Sequence, residues 1–282
     1  MSTKLYWEYV LAQQSNQWRS PVESLLLSNA NGVATLTINR PAQRNAITLE
    51  MWRSLAEITA RLDQDSSVRV VVVSGAGDEA FSAGGDISEF SEKRRDPWQA
   101  KIHNGRVELA LKSLARLSKP TIAMVKGYCV GGGCMLAAHC DLRISADNAL
   151  FGMPVAQLNT LVGYRELQRF VHLIGLGATL DLLLTARMIK ASEAQSIGLC
   201  SQVYPLADID NHVAELTSRM VNLAPLAQRW RKQMVQTLLR KPDLLDLTPE
   251  EGMLPDAIYD TEDYAEGVAA FLGKRAPVFR GK

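Results

Sequence analysis

The sequence lacks the features that mark several common protein classes. Its 31 lysines and arginines nearly balance 30 acidic residues, which leaves a net charge of +1 over 282 residues. Proteins that bind nucleic acid or anionic membranes through charge carry a basic excess, so neither partner is predicted. No apolar stretch is predicted to have the length of a membrane span, and the polar N-terminus lacks the apolar centre of a signal peptide. A cytoplasmic location is therefore predicted.

Cysteine is also scarce, which limits the covalent and metal chemistry available. The chain has four cysteines, and their spacing fits no common metal site. Most of them lie in apolar segments, where free thiols are common, and this favours a reducing compartment. No metal is predicted. The four positions are Cys129, Cys134, Cys140 and Cys200.

The stretch KPTIAMVKGYCVGGGCMLAAHCD, residues 119–141, combines a strand, a glycine turn and a helix. Its first part is apolar and β-prone, and a small-residue helical pattern follows Gly131, Gly132 and Gly133. Glycines let a ligand approach the backbone, and the first N–H groups of a helix have no internal acceptor. The pattern favours a bound oxyanion or phosphate. Close packing of the helix on the strand would also select glycine.

A second strand and glycine turn lie upstream. Residues 70–74 have another buried-strand pattern, and FSAGGDI follows with Gly85 and with Asp86 placed to cap a helix. Two such turns can each direct one backbone N–H toward a single point. Stabilising a thioester enolate or a tetrahedral oxyanion requires this arrangement. The two turns together predict an oxyanion-binding site.

These segments resemble a known family. FSAGGDI, followed further on by KPTIAMVKGYCVGGGCMLA, resembles the crotonase, or enoyl-CoA hydratase/isomerase, superfamily. The resemblance continues through FGMP, TARMIKASEAQSIGLCSQV and DYAEGVAAFLGKRAPVF, in the order that the family has them. It covers residues 25–279, almost the whole chain.

The resemblance implies an α/β fold of the ClpP/crotonase type, a spiral of ββα units with a C-terminal helical trimerisation region. Residues 23–205 would form the spiral core and 206–282 the helical region, preceded by an N-terminal extension over 1–22 of unknown role. The implied partner is an acyl-CoA substrate, with coenzyme A present only as part of that substrate and no permanently bound cofactor. The implied assembly is a homotrimer or hexamer.

The resemblance also assigns residues to the site. It places the oxyanion hole at the backbone N–H groups of Gly85 and Gly132, although relatives usually have alanine or a larger residue in place of Gly85. Arg44 would serve a phosphate of coenzyme A, and Lys274 or Arg275 would serve the 3′-phosphate across a subunit boundary. The substrate-contacting residues implied in all are Arg44, Ala46, Ala83, Asp86, Ile87, Tyr128, Met135, Pro154, Val155 and Lys274.

The acid/base residues depart from the family pattern. Hydratases carry two glutamates where this chain has Met135 and Val155, and neither side chain can transfer a proton. Glu166 is the first candidate replacement and Tyr164 the second, because their stretch borders the acyl pocket in relatives. Alternatively, Arg165 and Glu166 form a surface ion pair that opens a helix.

The leading prediction is an acyl-CoA thioester-processing enzyme of the enoyl-CoA hydratase/isomerase family, a lyase or isomerase for which standard hydration is doubtful. A crotonase-type decarboxylase or hydrolase is an alternative, since decarboxylation needs the oxyanion hole but less acid/base help. A non-catalytic acyl-CoA-binding homologue is another. The direction of Tyr164, Glu166 and His103 relative to the thioester discriminates between them.

Overall fold

The computed structural model describes residues 20–282, so most of the predicted N-terminal extension lies outside the described residues. Two sheets and a set of helices form this part of the chain. The strands are β1 (Leu25–Ala30), β2 (Val33–Ile38), β3 (Val70–Gly75), β4 (Ala80–Ser82), β5 (Thr121–Val125), β6 (Tyr128–Val130), β7 (Leu142–Ala146), β8 (Leu150–Gly152), β9 (Met188–Lys190) and β10 (Gln202–Tyr204).

From β3 to β8 the strands alternate between the two sheets as the chain advances. One sheet has the order β1-β2-β3-β5-β7-β10 and the other has the order β4-β6-β8-β9. The pairs β1–β2 and β8–β9 are antiparallel, and the other pairs are parallel. Parallel neighbours need crossover connections, which helices supply here. The predicted repeat of two strands and a helix is therefore present, and the two glycine turns adjoin β4 and β6 in the smaller sheet.

Helices fill the crossovers and the C-terminal region. They are α1 (Leu49–Gln64), α2 (Phe90–Lys93), α3 (Pro97–Arg116), α4 (Gly132–His139), α5 (Tyr164–Thr185), α6 (Ala191–Ser196), α7 (Ile209–Val221), α8 (Pro225–Arg240), α9 (Pro249–Ala257) and α10 (Glu262–Leu272). The spacing of Leu49, Trp52, Leu55 and Ile58 predicts one apolar face on α1, and all four are buried. α1 packs against α3.

The run of charged residues after Ile87 predicts a long loop that includes Pro97 and Trp98, and the structure differs from this prediction. The structure has a 3₁₀ turn at Ile87–Glu89, then the short α2, and Pro97 is the first residue of α3. Proline is favoured there because the first helical N–H has no partner. The Asp96 carboxylate caps α3 by accepting from the N–H of Gln99 at 2.9 Å. This segment forms part of the site wall.

Helix α5 corrects the prediction that no stretch has the length of a membrane span, because it is long and apolar enough to cross a bilayer. Gly175 interrupts it with φ 75° and ψ 169°, so the element is two helical segments rather than one straight rod. Core helices of soluble proteins share this length and composition. The absence of a membrane partner stays a prediction.

The C-terminal helices pack on the spiral within the same chain. Ile209 and Val213 of α7 are buried against strand residues such as Val72 and Ile144 of the larger sheet. Lys232 of α8 contacts the carboxylate of Asp141, which follows α4, at 2.7 Å. The chain end is also attached, because the Arg69 guanidinium donates to the carbonyl of Phe279 at 2.8 Å.

Candidate active site

A cleft of about 330 Å³ opens beside the two glycine turns. Both turns, the start of α4, the 3₁₀ turn Pro154–Leu158 and the region from Ile87 to Glu108 contribute to its wall. Most of the lining is apolar, and a few polar side chains converge on it, which is the usual composition of a small-molecule site. The polar side chains that carry charge are Arg94, Glu108 and Glu166.

The first turn is held by an isolated bridge to Ile47. The N–H of Ile47 donates to Gly84 O at 2.8 Å, and the N–H of Asp86 donates to Ile47 O at 3.0 Å. In this parallel bridge the hydrogen bonds are made by the residues on either side of Gly85, so its own N–H faces away from Ile47. Gly84 has φ 101°, a conformation that favours glycine.

The second turn begins α4. Gly131 precedes the helix with φ 50° and ψ −115°, a backbone conformation that side chains disfavour, and its N–H donates to Gly152 O at 2.9 Å. Gly132 is the first residue of the helix, so its N–H has no acceptor within the helix. The positive end of the helix dipole therefore lies at Gly132.

The two turns are in direct contact. A Cβ added to Gly132 would lie 3.2 Å from the backbone nitrogen of Gly85, and one added to Gly84 would lie 3.2 Å from the nitrogen of Gly132. Two N–H groups on separate elements that are in contact can both donate to one oxygen atom. Such a pair stabilises negative charge that develops on that oxygen.

Polar contacts of Asp86 hold the first turn in place. The Asp86 carboxylate pairs with the Arg40 guanidinium at 2.8 Å and accepts from the N–H and hydroxyl of Ser88. The Ser88 hydroxyl, with Arg40 in addition, lowers the pKa of Asp86. Asp86 therefore caps the turn as its position predicts, and its carboxylate is fully engaged in doing so.

Glu166 lies in the cleft wall and is only 6% exposed. Burial raises the pKa of its carboxyl, and the negative charge of Glu108 raises it further. The alternative ion pair between Arg165 and Glu166 is not formed, because Arg165 pairs with Glu108 at 2.5 Å. Tyr164, the second candidate, is 92% exposed and does not line the cleft. The structure thus brings Glu166 toward the glycine turns and leaves Tyr164 outside.

Comparison with known proteins identifies the family. The family model described as "Enoyl-CoA hydratase/isomerase" matches residues 28–282. The chain belongs to this family. It is an enoyl-CoA hydratase/isomerase-like enzyme, and the resemblance seen in the sequence is confirmed.

Individual relatives agree with this assignment. The short-chain-enoyl-CoA hydratase of Clostridium acetobutylicum is 33% identical over 255 residues, which cover 90% of this chain and 96% of the relative. The 2,3-dehydroadipyl-CoA hydratase of Escherichia coli is 33% identical over 261 residues, 93% of this chain and 100% of the relative. A crystal structure of an enoyl-CoA hydratase/carnithine racemase from Magnetospirillum magneticum superposes with a TM-score of 0.89 at 37% identity, and the match covers 98% of this chain and 100% of that one. The predicted crotonase-type fold is confirmed.

The predicted substrate residues fall into two groups. Ala83, Ile87, Met135, Pro154 and Val155 line the cleft of this family member, so the two positions where hydratases carry glutamates form apolar wall. The others do not line it: Asp86 is engaged with Arg40, and Arg44 pairs with Glu79 at 2.7 Å. The remaining residues outside the wall are Ala46, Tyr128 and Lys274.

Two features of the cleft were not assigned from the sequence. Arg94 and Asn104 line it, but in the sequence they stand among other charged and polar residues with no distinguishing motif.

His103 is 3% exposed and lies behind Arg94, and burial together with the Arg94 charge lowers its pKa to about 4. Among residues 20–282 no group of three or more His, Cys, Asp or Glu side chains is placed to hold a metal.

Proposed function

We propose that this enzyme moves the double bond of an enoyl-CoA thioester through a dienolate held at Gly85 and Gly132, with Glu166 transferring the proton. The observation that carries the proposal is the position of Glu166. It is a buried carboxyl in the cleft wall that forms no ion pair among the described residues, whereas Glu108 is paired with Arg165. A carboxyl in such a place is suited to proton transfer near neutral pH.

The proposed reaction needs one proton-transfer group. The Glu166 carboxylate removes a proton from the α-carbon of a 3-enoyl thioester, and the electron pair of that C–H bond delocalises onto the thioester oxygen. The N–H groups of Gly85 and Gly132 stabilise the resulting oxyanion. The protonated Glu166 then returns the proton to the γ-carbon, which leaves a conjugated 2-enoyl thioester and the original carboxylate.

The apolar wall argues against efficient hydration. Addition of water requires a group that positions and deprotonates it and a group that protonates the α-carbon, and Met135 and Val155 do neither. Excluding water would favour the return of the proton to the substrate. The family assignment leaves the reaction open, and decarboxylation or thioester hydrolysis remains the alternative that would also use the oxyanion hole.

A substrate panel tests the reaction. We expect the wild-type enzyme to convert a 3-enoyl-CoA to its conjugated isomer far faster than it hydrates crotonyl-CoA, because each missing acid/base group is worth about 10²- to 10⁴-fold in rate. The panel should also include malonyl-CoA and a 3-oxoacyl-CoA. Rapid hydration of crotonyl-CoA would contradict the proposal. Turnover of malonyl-CoA or the 3-oxoacyl-CoA alone would favour the decarboxylase or hydrolase.

We further propose that coenzyme A runs from the cleft past Arg44, Ala46, Ala83 and Tyr128, with Lys274 from a second subunit at its end. Ala83 donates its N–H to the carbonyl of Arg44 at 2.8 Å, so this segment adjoins the first turn. Both side chains of the Arg44–Glu79 pair are exposed, and exposed ion pairs contribute little to stability. A phosphate can therefore replace the Glu79 carboxylate as the partner of Arg44 at a small cost in free energy.

Assembly as a homotrimer or a dimer of trimers is also proposed. Large apolar side chains of the C-terminal region are exposed in the single chain, among them Leu245 at 84%, Phe271 at 84% and Leu272 at 76%. Exposed apolar surface of this kind commonly marks an interface. We expect light scattering to give the mass of a trimer or hexamer at micromolar concentration. A monomer mass under those conditions would contradict the assembly, and a cytoplasmic location stays part of the proposal.

A further inference from the structure

Arg94 is a basic side chain in the cleft wall that has no acidic partner among residues 20–282. Its Nη2 makes a 3.0 Å hydrogen bond with Nδ1 of His103, and its Cζ lies 4.1 Å from the centroid of the Phe90 ring. Its Nε is buried and has no hydrogen-bond partner in the described part of the chain. An unsatisfied buried donor on a charged group is costly, and such groups are common where a ligand completes the site.

The neighbouring basic residues differ from Arg94 in this respect. Lys93 pairs with Glu89 at 3.7 Å, Arg95 pairs with Asp96 at 3.6 Å, and Arg165 across the cleft pairs with Glu108. Each of these side chains is more exposed than Arg94, which burial affects enough to lower its pKa. Of these basic side chains, Arg94 alone lines the cleft, and it alone has no counter-charge among the residues that the structure describes. Stability alone would not select a buried charge without a partner.

His103 orients the guanidinium without neutralising it. Arginine can only donate hydrogen bonds, so Nδ1 of His103 must be the acceptor and its ring must be neutral. The lowered pKa of His103, about 4, keeps the ring neutral at physiological pH. The Phe90 ring, which lies edge-on to His103, supports the guanidinium from another side. The arrangement holds a positive charge in a defined orientation, as a binding site requires.

Phe90 contacts both the first oxyanion turn and Arg94. Its Cζ would be 3.5 Å from a Cβ on Gly85, and the Arg94 guanidinium packs on the same ring. All three residues line one cleft of about 330 Å³. A short acyl chain whose thioester oxygen meets Gly85 can therefore bring its far end to the guanidinium.

We infer that Arg94 binds a carboxylate at the far end of the acyl group, so that the substrates are CoA monothioesters of short dicarboxylic acids. The inference rests on the proposed acyl-CoA function and names the substrate class of the same cleft. A carboxylate accepts charge-assisted hydrogen bonds from a guanidinium, and the free Nε supplies a donor for it. Arg94 is a specificity-determining binding residue, whereas the chemistry belongs to the groups at the other end of the cleft.

The test compares saturated thioesters, which have no double bond to react. Succinyl-, glutaryl- and adipyl-CoA are titrated calorimetrically beside butyryl-, pentanoyl- and hexanoyl-CoA, so that each pair differs in a terminal carboxylate against a methyl group. We expect at least one dicarboxylic thioester to bind about 10- to 100-fold more tightly than its partner. Arg94→Gln should abolish this preference and leave the affinity for the methyl-ended thioester unchanged, and Arg94→Lys should retain part of it.

Arg95→Gln is the matched control, because it removes a neighbouring arginine that is exposed and paired with Asp96. It should keep the full preference, and circular dichroism should show all variants folded. Equal wild-type affinities within every pair, or a preference that survives Arg94→Gln, would overturn the inference and leave the proposed function intact. Failure of every thioester to bind the folded wild-type protein would overturn the proposed function and the inference with it.

Discussion

Replacing Gly132 by alanine is expected to reduce turnover by about 10²- to 10³-fold, as much as the loss of one oxyanion-hole donor, because the added methyl group would obstruct the oxyanion hole while the N–H remains. The added methyl group would lie 3.2 Å from the Gly85 nitrogen and 3.2 Å from Cζ2 of the buried Trp52. It would therefore crowd the Gly85 N–H, beside the place where the oxyanion has to bind. The measurement is kcat/KM for the substrate that the panel identifies, with thermal unfolding as a check of folding.

Gly85→Ala is the matched control for this substitution. A Cβ at Gly85 meets only the edge of the Phe90 ring, at 3.5 Å, and its φ is not in the left-handed region. Alanine should fit, retain the N–H donor and raise the free energy of unfolding by about 0.4–1 kcal/mol, because it restricts the unfolded chain. An active Gly132→Ala variant, or a Gly85→Ala variant as inactive as Gly132→Ala, would show that the thioester oxygen does not bind between these turns.

Glu166→Gln is expected to lower kcat/KM by about 10²- to 10⁴-fold, since it removes the proposed proton-transfer group. Because the carboxylate form acts first, wild-type activity should fall as the pH drops through the pKa of Glu166. Burial raises that pKa above the ordinary value of 4.5, so the fall in activity on the acid side of the pH–rate profile (the acid limb) should lie above pH 4.5. The residual activity of Glu166→Gln should show no such limb. A wild-type rate in this variant would mean that the acid/base group lies elsewhere.

Two further variants distinguish proton transfer by Glu166 from a general loss of structure in the cleft. The charge of Glu108 contributes to the raised pKa of Glu166, so Glu108→Gln should move the acid limb to lower pH with little change in the plateau rate. Tyr164→Phe should behave like the wild-type enzyme, because Tyr164 is almost fully exposed. If Glu108→Gln left the limb in place, the limb would belong to another group.

Stability provides a readout that is independent of catalysis. A carboxyl whose pKa is higher in the folded than in the unfolded state contributes stability that is fully present below the unfolded pKa and lost as pH rises through the folded pKa. The glutamine in Glu166→Gln cannot ionise, so this variant avoids the loss. Thermal unfolding measured across pH should show the variant becoming more stable relative to wild type as the pH rises from the unfolded to the folded pKa of Glu166.

Much of the fold and part of the site were predictable from local patterns. The strand-turn-helix segments around Gly85 and Gly132 have signals that are contiguous in sequence, because glycine turns, apolar strand runs and helix starts are set by near neighbours. The buried face of α1 follows from helical periodicity in the same way. The loss of acid/base function at Met135 and Val155 was also evident, since no folding can give those side chains a transferable proton.

Only the tertiary structure decided which polar residues enter the cleft. Arg165 and Glu166 are adjacent in sequence and equally suited to a surface ion pair, but Arg165 turns to Glu108 on α3 while Glu166 is buried beside the cleft. Arg94 stands in a run of charged residues, and only packing places it against Phe90 and His103, with no acidic partner within residues 20–282. The physical reason is that burial and charge pairing depend on groups distant in the chain, whereas turns and helix starts depend on groups nearby.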